Sequence, residues 1–151
     1  MWAGLEDGPA LVVIDPTGAA KHEALPATWQ RLAEHFQVAW CRTPASDREL
    51  EDLEDVLETL TARRAPATTI VASGEACSAA IAIAHQFADA VNTVLLVDPF
   101  GDDSAMLAGT EIAVRVIART HPTPDDRVPA PLPLGHPDVV EGVVTALAGP
   151  R

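Results

Sequence analysis

Tyrosine is absent from the 151 residues, and only three phenylalanines and three tryptophans are present. No aromatic platform for stacking bases is available. Basic residues are scarce as well: 10 against 22 acids, for a formal net charge of −12. Nucleic acid and anionic membrane surfaces both demand a basic face, so neither is expected as a partner. The simplest account of the charge is an acidic, solvated surface. Cysteine is limited to Cys41 and Cys77, without metal-ligand spacing around either. They read as small packed residues in a reducing compartment rather than a disulfide framework. No apolar run approaches the ~18 residues of a membrane span, and no basic stretch followed by an apolar one opens the chain. A cytoplasmic protein is expected. Arginine and alanine outweigh lysine, as in GC-rich bacterial genomes. "DPTGAA" has neither the G-x-G-x-x-G of a dinucleotide site nor the lysine of a P-loop, and no His/Cys/Asp group has zinc spacing. Neither cofactor nor metal is expected.

What is present is a core. Hydrophobic residues make up 48% of the chain, and mean hydropathy is +0.13. That suffices for a single domain over 1–151. "ALVVID" is an uninterrupted apolar run of buried-strand type between Pro9 and Pro16. "PATWQRLAEHF" spaces Trp29, Leu32, Ala33 and Phe36 as a helix does, and "QVAWCRT" is the next strand. In "SDRELEDLEDVLETLTARR", Leu50, Leu53, Leu57 and Leu60 share one face. Ser46 or Asp47 suits the N-cap and Arg63 and Arg64 suit the C-terminus. Its acids (Glu49, Glu51, Asp52, Glu54, Asp55, Glu58) form the solvated face. Further strands follow at "TTIVAS", "NTVLLVDP" and "EIAVRVIART". A Pro-rich stretch with one short strand near "APLPL" precedes a closing helix over "DVVEGVVTALAG". Alternating strands and helices imply an α/β fold, a three-layer α/β/α sandwich around a mostly parallel sheet.

The segment "IVASGEACSAAIAIA" is a strand, a turn of small residues and an apolar helix. A sharp strand-to-helix turn of this kind holds the nucleophile in G-x-S-x-G proteins. The matching pentapeptide here is Ala72-Ser73-Gly74-Glu75-Ala76, with glycine at its centre. Ser73, Cys77 and Ser78 are the nearest side chains able to act as displaced nucleophiles. Ser78 and Cys77 fall in a first helical turn, where serine commonly caps and cysteine commonly packs.

These stretches, in this order, resemble an α/β-hydrolase, trimmed to its core and without a lid domain. "LVVIDPTGAA" is similar to the strand and oxyanion loop of the thioesterase branch, with Asp15 in the place of its histidine and Gly18 in the loop. "IVASGEACSAAIA" is similar to the nucleophile elbow and its helix, and "TVLLVDP" to the strand that follows it. "IAVRVIARTHPTPDDRVP" resembles the segment delivering the triad acid, and "LPLGHPDVVEGVVTAL" the closing Gly-His and last helix. The resemblance implies that His136 stands in the place of the general base and Asp125 or Asp126 in that of the acid, with Asp98 a less favoured position. Gly74 stands where the nucleophile belongs, and Glu75 where the following backbone N–H serves the oxyanion. The resemblance also implies that the two N-terminal strands of the full fold are missing. The other histidines, His22, His35, His85 and His121, have no catalytic context.

Without Oγ or Sγ at position 74, His136 has nothing to activate at the elbow. Glu75 and Asp15 bring negative charge to where a hydrolase stabilises an oxyanion. The expected protein is therefore a catalytically inactive hydrolase-like domain that binds a small acyl-type ligand or associates with another protein. The alternative is an active esterase or thioesterase using His136 with Asp125 or Asp126 and water, or a displaced Ser or Cys. A third class is a structural subunit. Counting "ALVVID" first, the strand order should be 2-1-3-4-5-6, and exposed sheet edges and apolar patches point to a homodimer.

Overall fold

In a computed structural model, which describes residues 2–4, 8–15, 27–42, 47–65, 67–99, 107, 110–118, 134 and 137–147, the apolar runs become buried strands. The strands are β1 (Trp2–Gly4), β2 (Ala10–Asp15), β3 (Gln37–Arg42), β4 (Thr68–Ser73), β5 (Thr93–Val97) and β6 (Ala113–Ala118). The helices are α1 (Gln30–Ala33), α2 (Asp47–Ala62), α3 (Ala76–Gln86) and α4 (Pro137–Leu147). All six residues of β2, and all six of β4, are buried. Burial on both faces explains why these strands read as continuous apolar runs without alternation.

One six-stranded sheet has the order β1-β3-β2-β4-β5-β6. Every pair is parallel except β1 with β3. The five strands from "ALVVID" to "EIAVRVIART" stand in the expected order, with "TTIVAS" in the interior of the sheet; the strand expected near "APLPL" lies largely outside the described residues. One expectation needs correction, because an antiparallel N-terminal strand is present. β1 is three residues long and ends in Gly4, so it gives no alternation to read. Gly4 has φ 91, and a Cβ there would strike the carbonyl oxygens of Phe36 and Ala33. The Arg63 guanidinium lies 4.7 Å from the centre of the Trp2 ring and donates to Gln37 Oε1 (3.2 Å). Buried Gln37 in turn donates to the Gly8 carbonyl at 2.7 Å, tying the end of α2 to this edge.

Alternate strand residues feed two apolar clusters. Val12, Ile14, Ile70, Ala72, Val94 and Leu96 join Leu53, Leu57 and Leu60 of α2 and the small face of α3 (Ala76, Ala80, Ala84). Leu11, Val13, Trp40, Val71, Leu95 and Val97 join Trp29, Leu32, Leu134 and, from α4, Val139 and Val143. The helix expected over "PATWQRLAEHF" is shorter than its periodicity suggests: a 3-10 turn, Ala27–Trp29, leads into the single turn of α1. The Glu34 N–H bonds back to Arg31 O and Leu32 O, and the Gln37 N–H already bonds Pro9 O, so the helix has given way to β3 by residue 37. On β6, the register skips Ile117 opposite Leu96 and Val97. Ile117 lies against Gly142, where a Cβ would come within 2.9 Å of the Ile117 carbonyl oxygen, so glycine permits the close approach of α4.

The end of α2 gives a direct stability test. Ala65 N–H donates to Leu60 O (3.2 Å) and Arg64 N–H to Thr61 O (3.1 Å), the paired bonds of a Schellman cap. Arg64 occupies the position after the C-cap with φ 55, where glycine is usual. A left-handed L-residue costs roughly 1–2 kcal/mol, partly offset in the variant by glycine's larger unfolded-state entropy. Arg64→Gly is expected to raise the stability by up to about 1 kcal/mol, read as a higher urea midpoint. A lower midpoint would show that the Arg64 side chain contributes more than its backbone costs.

Candidate functional site

β2 lies between β3 and β4, and the chain leaves it first for one neighbour and later for the other. Such a reversal of strand order opens a crevice beyond the carboxyl ends of the strands, where open α/β sheets hold ligands. The residues singled out in the sequence fall there. Asp15 ends β2, Ser73 ends β4, Gly74 and Glu75 form the turn into α3, and Asp98 follows β5.

Parallel register fixes their relation. Val13 pairs with Val71, and Val71 with Leu95. Two residues further on, Asp15, Ser73 and Val97 belong to the same face of the sheet. Asp15 and Ser73 are both buried. The Trp40 indole N–H donates to Asp15 Oδ2 at 3.0 Å. Trp40 stands opposite Val13 in the β2–β3 register, which brings its ring alongside the carboxylate. A buried carboxylate needs such donors, and a hydrogen bond to a charged group contributes about 1.5–3 kcal/mol. Sequence reading missed Trp40 because the bond depends on strand pairing and joins residues 25 positions apart.

The turn between β4 and α3 rests on one left-handed glycine. Gly74 has φ 55, its N–H donates to Val97 O (2.9 Å), and its carbonyl accepts from Cys77 N–H (3.2 Å). Glu75, the N-cap residue of α3, makes no side-chain capping bond and is exposed. Asp98 is half-buried and also left-handed, with φ 45. Asp is among the few L-residues enriched in that region.

Cys77 is placed for packing. Its Sγ lies 3.6 Å from Ala72 O and 3.8 Å from Val97 O, within reach of a weak S–H hydrogen bond. Burial pushes the thiol up from 9.0 to about 11; the Val97 carbonyl bond opposes the shift and the nearby Asp98 charge adds to it. The thiolate is the nucleophile, so this thiol is not activated. Cys41, partly buried on β3, is also pushed to about 11 by burial, and both cysteines are free.

The raised thiol makes stability depend on alkaline pH. Well below pH 9 the thiol is protonated in both folded and unfolded chains. Between pH 9 and 11 the unfolded chain loses the proton first, so stability falls as pH rises. A shift of this size sets an upper bound of about 2–3 kcal/mol for Cys77, which solvent screening reduces. With no tyrosine and one lysine in the chain, few other groups titrate in this window. Urea midpoints measured from pH 8 upward should fall more steeply in the unmodified protein than in Cys77→Ala. Parallel slopes would show that the thiol titrates alike in both states.

His136, Asp125, Asp126 and Gly18 lie outside the described residues. The structure therefore brings together Asp15, Ser73, Gly74, Glu75, Cys77 and Asp98 around three strand ends. A separate cleft of about 550 Å³ lies at the opposite ends of β4 and β5, lined in part by Arg64, Thr68, Phe87 and Asn92. Among the described residues, no three His, Cys, Asp or Glu side chains are grouped to hold a metal ion, and no helix is long and apolar enough to cross a membrane. No family model matches the chain, and no curated protein matches it in sequence.

Proposed function

We propose that this chain is an α/β-hydrolase-like domain, a three-layer α/β/α sandwich trimmed of its lid, that has lost serine-hydrolase chemistry and binds a small acyl-type ligand at the ends of β2, β4 and β5. The carrying observation is Gly74. It holds the tip of the turn between β4 and α3 at φ 55, where a nucleophile elbow presents its side chain, and it has none. The neighbours do not replace it. Ser73 is buried on β4, and the Cys77 thiol stays protonated near neutral pH. Asp15, Glu75 and Asp98 surround the turn with acids, an environment that opposes a developing oxyanion. The same charge favours a neutral acyl group over a free carboxylate.

Two measurements test this reading together. A fluorophosphonate probe should leave the protein unlabelled. Ethyl butyrate should raise the melting temperature in a saturable way, and butyrate should raise it less. Covalent labelling that a denatured control lacks would instead support the active esterase, and no shift with either compound would remove the acyl-binding assignment.

A further inference from the structure

We propose that the cleft at the amino ends of β4 and β5 binds a small organic cation, a primary ammonium ion with an apolar tail, on the buried hydroxyl of Thr68. This goes beyond the acyl-ligand reading and does not depend on it, because that ligand's crevice lies at the other end of the sheet. α2 and α3 contribute to the same apolar cluster as Ile70 and Ala72 of β4. Gln86, the last residue of α3, donates to Glu54 of α2 at 2.8 Å. Both helices end beside the open cleft of about 550 Å³. Thr68 begins β4, lines the cleft and is only 3% exposed. It precedes Ile70 and Ala72 at even spacing, so its side chain points to their face of the sheet, the face that carries α2 and α3. Asn92 holds the Thr68 backbone twice. The Thr68 N–H donates to Asn92 Oδ1 and the Thr68 carbonyl accepts from the Asn92 N–H, each at 2.9 Å. The Thr68 hydroxyl, by contrast, has no hydrogen-bond partner among the described residues. Burying an unpaired hydroxyl is costly, and a polar ligand group in the cleft would satisfy it.

The charges around the cleft select the ligand. Among the described residues, Glu58 and Asp89 line it, Arg64 is its one base, and none of the three is in an ion pair. The carboxyl end of a helix adds roughly half a negative charge, and those of α2 and α3 both lie here. The local balance is therefore negative, and the chain's −12 draws cations from further away. A carboxylate would be repelled by all of these groups except Arg64. Leu60, Ala65, Phe87 and Ala90 give the cleft apolar surface for a short tail, and Phe87 is half-buried. An ammonium group has three donors and no acceptor, which suits the Thr68 oxygen together with a carboxylate.

Amide NMR titrations with benzylammonium, benzyl alcohol and benzoate, at physiological ionic strength, test the proposal. Benzylammonium should give saturable shifts at Thr68, Phe87 and Asn92, benzyl alcohol weaker ones, and benzoate none. Thr68→Val keeps the side-chain shape and removes the hydroxyl, so benzylammonium binding should fall about tenfold. The same variant should be at least as stable as the unmodified protein, because the hydroxyl it removes has no partner in the chain. Thr68→Ser retains the hydroxyl and should retain binding. Asp89→Asn should weaken binding a few-fold and Arg64→Gly should strengthen it a few-fold, as expected of exposed charges. Three results would overturn the proposal: benzoate binding as tightly as benzylammonium, shifts that spread along the acidic face of α2 without saturating, or Thr68→Val binding benzylammonium as the unmodified protein does. Binding of ethyl butyrate at the crevice is read separately, so either site can fail without the other.

Discussion

Trp29→Ala is expected to be among the most destabilising single substitutions in this chain, costing about 3–5 kcal/mol. The ring is fully buried and meets Trp40 edge to face, with centroids 5.1 Å apart and planes at 87°. Its indole N–H donates to the carbonyl of Leu134, 105 residues away, at 2.6 Å. Truncation leaves a cavity and an orphaned carbonyl, and the orphan alone costs roughly 1–3 kcal/mol. A domain of this kind has only about 5–15 kcal/mol in total. Trp29→Phe separates the two contributions: it keeps most of the apolar volume, loses the donor, and should cost about 1–3 kcal/mol. Urea unfolding followed by far-UV circular dichroism gives both values, provided the denaturant slope stays constant. A loss below 1 kcal/mol for Trp29→Ala would mean that the site collapses around the missing ring.

The second large effect is chemical. Gly74→Ser should not by itself give useful esterase activity. The new serine sits at φ 55, a left-handed backbone that costs an L-residue roughly 1–2 kcal/mol, so some stability is lost. It also sits beside Glu75, whose backbone N–H would serve as an oxyanion donor under the proposed hydrolase-like reading. Two unit charges ~4 Å apart interact by about 1 kcal/mol in water and about 4 kcal/mol at an effective dielectric near 20. Glu75 is exposed, so the lower part of that range applies. Adding Glu75→Gln to Gly74→Ser should then accelerate hydrolysis of p-nitrophenyl butyrate by up to about tenfold over Gly74→Ser alone. A double variant slower than the single one would show that Glu75 assists the reaction.

The parts of the fold that were legible are those whose signal is local. "ALVVID", "TTIVAS" and "TVLLV" announce themselves because strands buried on both faces must be apolar at every position. α2 was legible because Leu53, Leu57 and Leu60 recur with helical spacing on an otherwise charged segment. β1 was not, because three residues ending in a left-handed glycine carry no period. α1 was over-read, because periodicity cannot see that β3 must begin at Gln37. The turn between β4 and α3 was legible from its small residues, yet the partner of Asp15 was not, since Trp40 reaches it only through strand pairing. The Trp29 bond to Leu134 is still less local, spanning most of the chain.

The most direct measurement is turnover of p-nitrophenyl butyrate by the unmodified protein beside His136→Ala. The proposed reading, with glycine at the tip of the β4–α3 turn, predicts the buffer rate for both proteins, and Cys77→Ala should leave it unchanged as well. Turnover above buffer that disappears in His136→Ala would contradict the proposed loss of hydrolase chemistry and establish a working histidine with another nucleophile.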